Sequence, residues 1–169
     1  LSVDLKEVLS KYKGKKLHLI ANLPYYITTP IITKVINETD VSEMIIMVQK
    51  EVGDRFKSMP GSKDYNSLSV YLQYYFDIEK VCLVSKSNVD SIVVKFTRKK
   101  ELLELKDKEL FFKFVRDAFK QKRKNLRNNL KEYDLEKVEE SLNKIGKDLT
   151  YRAEQLSLED FVSVFNEIC

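Results

Sequence analysis

The tetrapeptide Asn22-Leu23-Pro24-Tyr25 is the part of this sequence best suited to chemistry. It directly follows the apolar residues 17–21, which are typical of a short buried strand. At the end of a strand these four residues offer a side-chain amide oxygen, a carbonyl held by the rigid backbone of Pro24 and a flat aromatic ring. Two acceptors and a ring suit the exocyclic amino group of a planar base, whereas a phosphate or a carboxylate would need donors. The alternative is an ordinary turn by which the chain leaves the sheet.

A second candidate site is the basic segment, residues 120–131. It holds six lysine or arginine residues and no acidic residue, and the compensating acids lie elsewhere, for example Glu132 and Glu136. Segregated positive charge interleaved with asparagine favours contact with RNA or DNA, and a solvated helix face is the alternative. Leu126 and Leu130 stand four residues apart, which predicts a helix here. The candidate contacts are Lys120, Lys122, Arg123, Lys124, Arg127 and Asn128.

Composition sets the limits within which both sites must be built. With 169 residues, 43% hydrophobic and 33% charged, the sequence is globular and long enough for one compact domain with a small appendage. No apolar stretch approaches the roughly 20 residues that span a bilayer, and no secretory signal is visible. Cys82 and Cys169 fit neither a disulfide framework nor a zinc site. The sequence therefore predicts a cytoplasmic monomer without a metal. Because it begins with Leu1 rather than Met, we also expect it to start partway through a larger protein.

The elements that must position the first site alternate between strand and helix. After the strand at 17–21, we predict a helix from Thr28 to Asn37, a strand covered on both faces at 44–48, a helix at 49–56, a loop at 58–66, a buried helix at 67–76, and strands at 78–84 and 91–96. The short link before the last strand predicts an antiparallel pair. This order predicts an α/β sheet with an antiparallel edge hairpin.

The rest of the sequence, from about residue 100, predicts only helices. Apolar residues recur at helical spacing in three stretches, and the phenylalanines among them are expected in the core. Gly146 is a candidate helix stop, and Ser157 is a candidate N-cap with Asp160 in the first turn. We therefore expect a small all-α domain after the sheet.

Six strings in this order resemble the KsgA-type family of ribosomal RNA adenine N6,N6-dimethyltransferases, and together they span nearly the whole sequence. They are Asn22-Leu23-Pro24-Tyr25, Gln49-Lys50-Glu51-Val52, Pro60-Gly61-x-Lys63-x-Tyr65-x-x-Leu68-Ser69-Val70, Val89-Asp90-Ser91, Gln121-Lys122-Arg123-Lys124-x-Leu126-Arg127-Asn128-Asn129-Leu130 and Arg152-Ala153-Glu154-x-Leu156-Ser157. The resemblance implies part of a Rossmann-like methyltransferase sheet at 1–100 and a helical RNA-binding domain at 101–169.

The resemblance also implies a reaction. Methyl groups would pass from S-adenosylmethionine to N6 of two adjacent adenosines in a stem-loop near the 3′ end of small-subunit ribosomal RNA. The Asn22 side-chain oxygen and the Pro24 carbonyl would accept hydrogen bonds from the two N–H groups of the amine, and Tyr25 would stack on the flipped base. Leu23 would contribute its backbone and form part of the pocket wall, and Asn22 would also contact the cofactor. The basic segment would hold phosphates and fix register.

Two departures limit what the resemblance implies. The family has a Gly-rich cofactor loop and an acidic residue before its Asn-x-Pro-Tyr motif, whereas the four glycines here make no such loop. We therefore expect these residues to lack the front half of the cofactor site and to be inactive by themselves. The family also carries a Phe-x-Pro-x-Pro stretch near Ser87, which this sequence lacks.

Two other functions stay open at this stage. A related family shares the Asn-x-Pro-Tyr motif, methylates large-subunit ribosomal RNA and confers macrolide resistance, but it lacks the Pro-Gly-x-Lys loop. A non-catalytic module that binds ribosomal RNA during assembly is the alternative from a different class. It would need the basic segment and no cofactor loop.

Overall fold

A four-stranded sheet carries the first candidate site. The computed structural model describes residues 2–85 and 90–169, with only the backbone of Tyr25. The first part of the chain contains α1 (Leu5–Leu9), β1 (His18–Asn22), α2 (Thr28–Glu38), β2 (Glu43–Gln49), α3 (Lys50–Phe56), β3 (Phe76–Val84) and β4 (Ser91–Arg98). Each strand and helix expected here from the sequence is present, and no end is shifted by more than two residues.

The sheet order is β1-β2-β4-β3. β1 and β2 are parallel, as expected for two strands joined by the crossover helix α2, with Ile20 opposite Ile45. β4 runs antiparallel to both β2 and β3, so the predicted antiparallel hairpin at the edge is confirmed. The link between β3 and β4, including the position of the absent Phe-x-Pro-x-Pro stretch near Ser87, lies largely outside the described residues.

One face of the sheet is covered and the other is half open. Met44, Ile46 and Val48 of β2 are buried, whereas the alternate residues of this strand are only partly buried. The prediction that this strand is covered on both faces was therefore wrong, because α3 packs on one side only. A Cβ atom on Gly53 of α3 would lie 2.2 Å from a methyl carbon of Ile92, so glycine permits this close approach.

The remaining elements are helices: α4 (Ser67–Tyr75), α5 (Lys108–Ala118), α6 (Leu126–Asn129), α7 (Leu135–Lys144) and α8 (Leu158–Ile168). The expected phenylalanine core is confirmed, since Phe111, Phe114 and Phe161 are buried. Gly146 follows α7 with φ +72°, a backbone conformation that glycine adopts without strain. Ser157 caps α8, because its hydroxyl accepts the Asp160 N–H at 3.1 Å.

The chain divides into two compact units, Leu1–Lys57 with Phe76–Lys100, and Ser58–Tyr75 with Glu101–Cys169. The sheet and the helices α1–α3 belong to the first unit, and the helices α4–α8 belong to the second. The break after Lys100 coincides with the expected boundary. The segment Ser58–Tyr75 differs, because it belongs to the unit of the helices that follow the sheet although it lies between α3 and β3 in the sequence. The functional division into a catalytic and an RNA-binding part stays a prediction.

Candidate functional site

The end of β1 presents the Asn22 side chain at the edge of the sheet. Asn22 is the last residue of the strand and lies opposite Met47, and the Leu23 N–H donates to the Met47 carbonyl at 3.2 Å. The Leu23 side chain is buried, whereas Asn22 is exposed. Its side-chain amide makes no hydrogen bond to any residue that the structure describes. The strand therefore fixes the backbone of Asn22 and leaves its amide free to bind a ligand.

A tight turn follows Pro24 and uses its carbonyl. The Pro24 backbone, at φ −61° and ψ 138°, leads into a 3₁₀ turn over Tyr25–Ile27. The Pro24 carbonyl accepts hydrogen bonds from the Ile27 N–H at 3.2 Å and from the Thr28 hydroxyl at 3.0 Å. Thr28 is buried at the start of α2, so its hydroxyl is shielded from water. A carbonyl oxygen has two lone pairs, and here both have protein donors.

These bonds change which carbonyl is available to a ligand. The sequence suggested the Pro24 carbonyl as the second acceptor for an amine, but the turn already engages it. The Leu23 carbonyl accepts no hydrogen bond from residues 2–85 or 90–169. It is also adjacent in the chain to the free amide of Asn22. The structure therefore favours Asn22 and Leu23 as the acceptor pair, with Pro24 holding the turn that follows them.

Aromatic residues occupy the same turn. The side chain of Tyr25 lies outside the described part of the structure, so its predicted stacking role stays a prediction. Tyr26 is 86% exposed, although a ring of this size is usually at least half buried. Residue type alone does not indicate this exposure, because it depends on the local turn.

The basic segment does not form the predicted helix. α5 ends at Ala118, residues 119–125 are turns, and only α6, a single helical turn, follows. The buried side chain of Asn129 explains the break. Its amide donates to the carbonyls of Ala118, at 2.6 Å, and Gln121, at 3.2 Å, and its oxygen accepts the Gln121 N–H. These bonds hold the chain in a reversal after α5, which a continuous helix would not permit.

The reversal leaves most of the predicted cations exposed and unpaired. Lys120, Lys122, Arg123 and Lys124 are exposed, and none forms an ion pair with a carboxylate among the described residues. Arg127 differs, because its guanidinium lies 3.3 Å from the Glu139 carboxylate. The exposed Asn128 side chain donates to Asn125. A surface of this kind attracts anions, and Arg127 contributes less than the sequence suggested, because Glu139 offsets its charge.

Leu126 and Leu130 anchor the basic segment to the rest of its unit. Both side chains are buried, as their spacing predicted. The backbone N–H groups of Leu126 and Arg127 donate to the carbonyls of Tyr151, at 2.8 Å, and Leu149, at 3.0 Å. The backbone of the basic segment is therefore fixed by hydrogen bonds to residues 149–151 and by two buried leucines.

Neither a metal-binding cluster nor a membrane-spanning helix is present in residues 2–85 and 90–169. Among the described residues, no three histidine, cysteine, aspartate or glutamate side chains are grouped to hold a metal ion. No helix in the described ranges has the length and apolar character to cross a membrane. The two candidate sites are thus the end of β1 in the first unit and the basic segment in the second.

Two solved structures share this fold. The chain is similar to a dimethyladenosine transferase from Plasmodium falciparum, with a TM-score of 0.71 and 23% identity over 89% of this chain and 66% of that one. It is also similar to the 23S rRNA methyltransferase ErmE, with a TM-score of 0.67 and 19% identity over 97% of this chain and 76% of that one. The fold is therefore that of the rRNA methyltransferases, a Rossmann-like α/β sheet followed by helices.

Sequence comparison defines the family. The model of the ribosomal RNA adenine dimethylase family matches residues 1–169. Proteins named ribosomal RNA small subunit methyltransferase A from Bacillus mycoides and Bacillus cereus are each 39% identical over 184 residues, which cover 99% of this chain. The chain spans 63% of the length of these relatives. It belongs to the ribosomal RNA adenine dimethylase family.

The hydrogen bond from Thr28 to Pro24 is testable by substitution. Thr28→Val keeps the side-chain volume but removes the hydroxyl, so we expect the free energy of unfolding to fall by about 1 kcal/mol. Thr28→Ser keeps the hydroxyl and serves as the matched control, with a smaller loss from the missing methyl group. Urea denaturation of the chain measures both. Equal stability of the wild type and Thr28→Val would show that the hydroxyl does not hold the turn.

Proposed function

We propose that this chain provides the target-base side of an rRNA adenine N6,N6-dimethyltransferase. The substrate is two adjacent adenosines in a stem-loop near the 3′ end of small-subunit ribosomal RNA, and S-adenosylmethionine is the methyl donor. Membership of the ribosomal RNA adenine dimethylase family supports the proposal. The single observation that carries it is the pair of free acceptors at the end of β1, the Asn22 side-chain amide and the Leu23 carbonyl.

These acceptors address the main chemical difficulty of the reaction. The amino nitrogen of adenine is a poor nucleophile because its lone pair is delocalised into the ring. When the Asn22 oxygen and the Leu23 carbonyl accept hydrogen bonds from the two N–H groups, the nitrogen becomes more pyramidal and its lone pair is directed out of the ring plane. The buried Leu23 side chain and the Pro24 turn hold the two acceptors in place. Positioning of this kind lowers the barrier without a carboxylate base.

The aromatic residue of the motif has a separate task. Tyr25 would stack on the flipped adenine, and base–aromatic stacking contributes roughly 1–3 kcal/mol in other stacking sites. The ring would keep the base in the plane that its amine needs to contact Asn22 and Leu23. This role rests on the residue type and on its place directly after Pro24.

The described residues fit one side of a cofactor site. S-adenosylmethionine, when bound, would supply an electrophilic methyl group, and Asn22 is the residue here that would lie against it. The described residues contain no glycine turn whose backbone would contact the cofactor. Gly53 is used in packing α3 on the sheet, and Gly14, Gly61 and Gly146 lie in separate turns. The 169 residues are therefore better suited to binding the target base than to binding the methyl donor.

The basic segment supports ribosomal RNA as the partner. Its exposed cations, Lys120, Lys122, Arg123 and Lys124, have no carboxylate partner within the described ranges. Contacts from such residues to phosphates set affinity and register without reading sequence. Arg127 and Asn128 belong to the same proposed surface, with the Arg127 charge partly offset by Glu139.

A non-catalytic rRNA-binding module is the second candidate function. It is favoured by the same two observations, exposed cations and the absence of a glycine turn at the strand ends in the part of the chain that the structure describes. A large-subunit methyltransferase of the macrolide-resistance type is less well supported. The similarity to ErmE is at 19% identity and concerns fold, whereas relatives named for the small subunit are 39% identical.

Cofactor binding separates the two roles for the 169-residue chain itself. We expect isothermal titration with S-adenosylmethionine to show binding weaker than micromolar, because the donor side lacks a glycine turn. Micromolar affinity would contradict this expectation and would show that these 169 residues bind the methyl donor by themselves.

The acceptor role of Asn22 is testable in the protein at its natural length. We expect Asn22→Ala to lower kcat for methyl transfer to the stem-loop RNA by about 10²–10³-fold, the effect of removing one group that stabilises a transition state. Asn143→Ala, which removes an exposed asparagine of α7, is the matched control and should leave kcat unchanged. If both variants methylate at the wild-type rate, Asn22 is not an acceptor in the reaction.

A further inference from the structure

The Pro-Gly loop, residues 58–66, is attached to the basic segment within the helical unit. The Gly61 N–H donates to the Glu154 carbonyl at 2.6 Å, and the Lys122 ammonium donates to the Lys63 carbonyl. The Tyr65 ring is buried with its centroid 5.9 Å from that of Phe119, in edge-to-face geometry. Burial raises the pKa of the Tyr65 hydroxyl, so this anchor stays neutral. The loop is therefore held in a defined position.

A third chain segment, residues 149–152, is also bonded to the basic segment. The Leu126 N–H donates to the Tyr151 carbonyl at 2.8 Å, which places Arg152 next to this backbone contact. The Arg152 N–H is itself fixed by the Gln155 side chain at 2.8 Å. Three segments, separated by many residues in sequence, are thus joined by hydrogen bonds, through the backbone at Gly61 and Leu126 and through the side chain at Lys122.

Each of these segments carries exposed cations without a carboxylate partner. Lys63 and Arg152 are exposed, and neither forms an ion pair with any residue in the described ranges. The bond from Lys122 is to the Lys63 carbonyl, so the Lys63 ammonium remains available. Other lysines of the same unit are paired, such as Lys113 with Asp117 at 2.6 Å and Lys144 with Glu167 at 2.5 Å.

We propose that Lys63 and Arg152 extend the basic segment into one phosphate-binding surface that contacts the backbone of a folded ribosomal RNA. The proposal rests on the proposed function for the identity of the RNA and goes beyond it in assigning two residues outside the basic segment. Cations held in fixed positions on three chain segments can contact phosphates that a folded RNA strand places at fixed positions. Cations on a single flexible segment would bind any polyanion. Because both residues lie on ordered backbone, they hold the RNA with little further loss of chain entropy.

Salt dependence of RNA binding tests these two residues. Each phosphate contact adds about 0.7–0.9 to the slope of log affinity against log salt concentration. We expect Lys63→Gln and Arg152→Gln each to lower the slope by about that amount for the stem-loop RNA.

Lys63→Arg keeps the charge and should keep the slope. Lys144→Gln removes a lysine already paired with Glu167 and is the matched control, with no change expected. Lys63→Gln preserves the backbone carbonyl that Lys122 contacts, so the loop stays attached.

The outcomes distinguish this inference from the proposed function. If Arg123→Gln lowers the slope while Lys63→Gln and Arg152→Gln match the wild type, the extended surface is wrong and RNA binding by the basic segment stands. If Arg123→Gln also matches the wild type, RNA binding by the whole unit is wrong. If poly-glutamate competes as well as the stem-loop RNA, the surface binds acidic protein instead, and the RNA assignment is overturned.

Discussion

The closure of the turn onto the Pro24 carbonyl is the constraint on which the candidate active site depends. Two donors, the Ile27 N–H and the Thr28 hydroxyl, bind this oxygen and connect the end of β1 to the start of α2. Because both donors come from the protein, the carbonyl is not free to bind an amine. The neighbouring Leu23 carbonyl and the Asn22 amide remain. One local hydrogen-bonding choice therefore decides which acceptors at the end of β1 remain open to a ligand.

The positions of the strands and helices could be predicted from the sequence because local rules determine them. The cap at Ser157 and the glycine after α7 depend on neighbours within a few residues. The engagement of the Pro24 carbonyl by the turn could not be predicted in the same way. It depends on where the Thr28 hydroxyl points, which the residue type does not reveal.

The helical unit shows the same limit at longer range. Residues 120–131 have helical spacing, yet the side chain of Asn129 reaches back eleven residues to Ala118 and reverses the chain. The Pro-Gly loop belongs with the helices because Gly61 and Tyr65 contact residues far away in the sequence. Neither contact has a periodic signal. The charge of the segment could be read from the sequence, but its shape and its pairing with Glu139 required the structure.

Recognition of an amine by paired acceptors is the central claim, and base substitution tests it most directly. The measurement is the affinity of the protein, at its natural length, for the stem-loop RNA with adenine or with purine, which lacks the amino group, at the target position. Two hydrogen bonds of about 0.5–1.5 kcal/mol each would be lost, so purine RNA should bind roughly 5- to 150-fold more weakly. Asn22→Ala should reduce this difference. Equal affinity of the wild type for both RNAs would contradict the account.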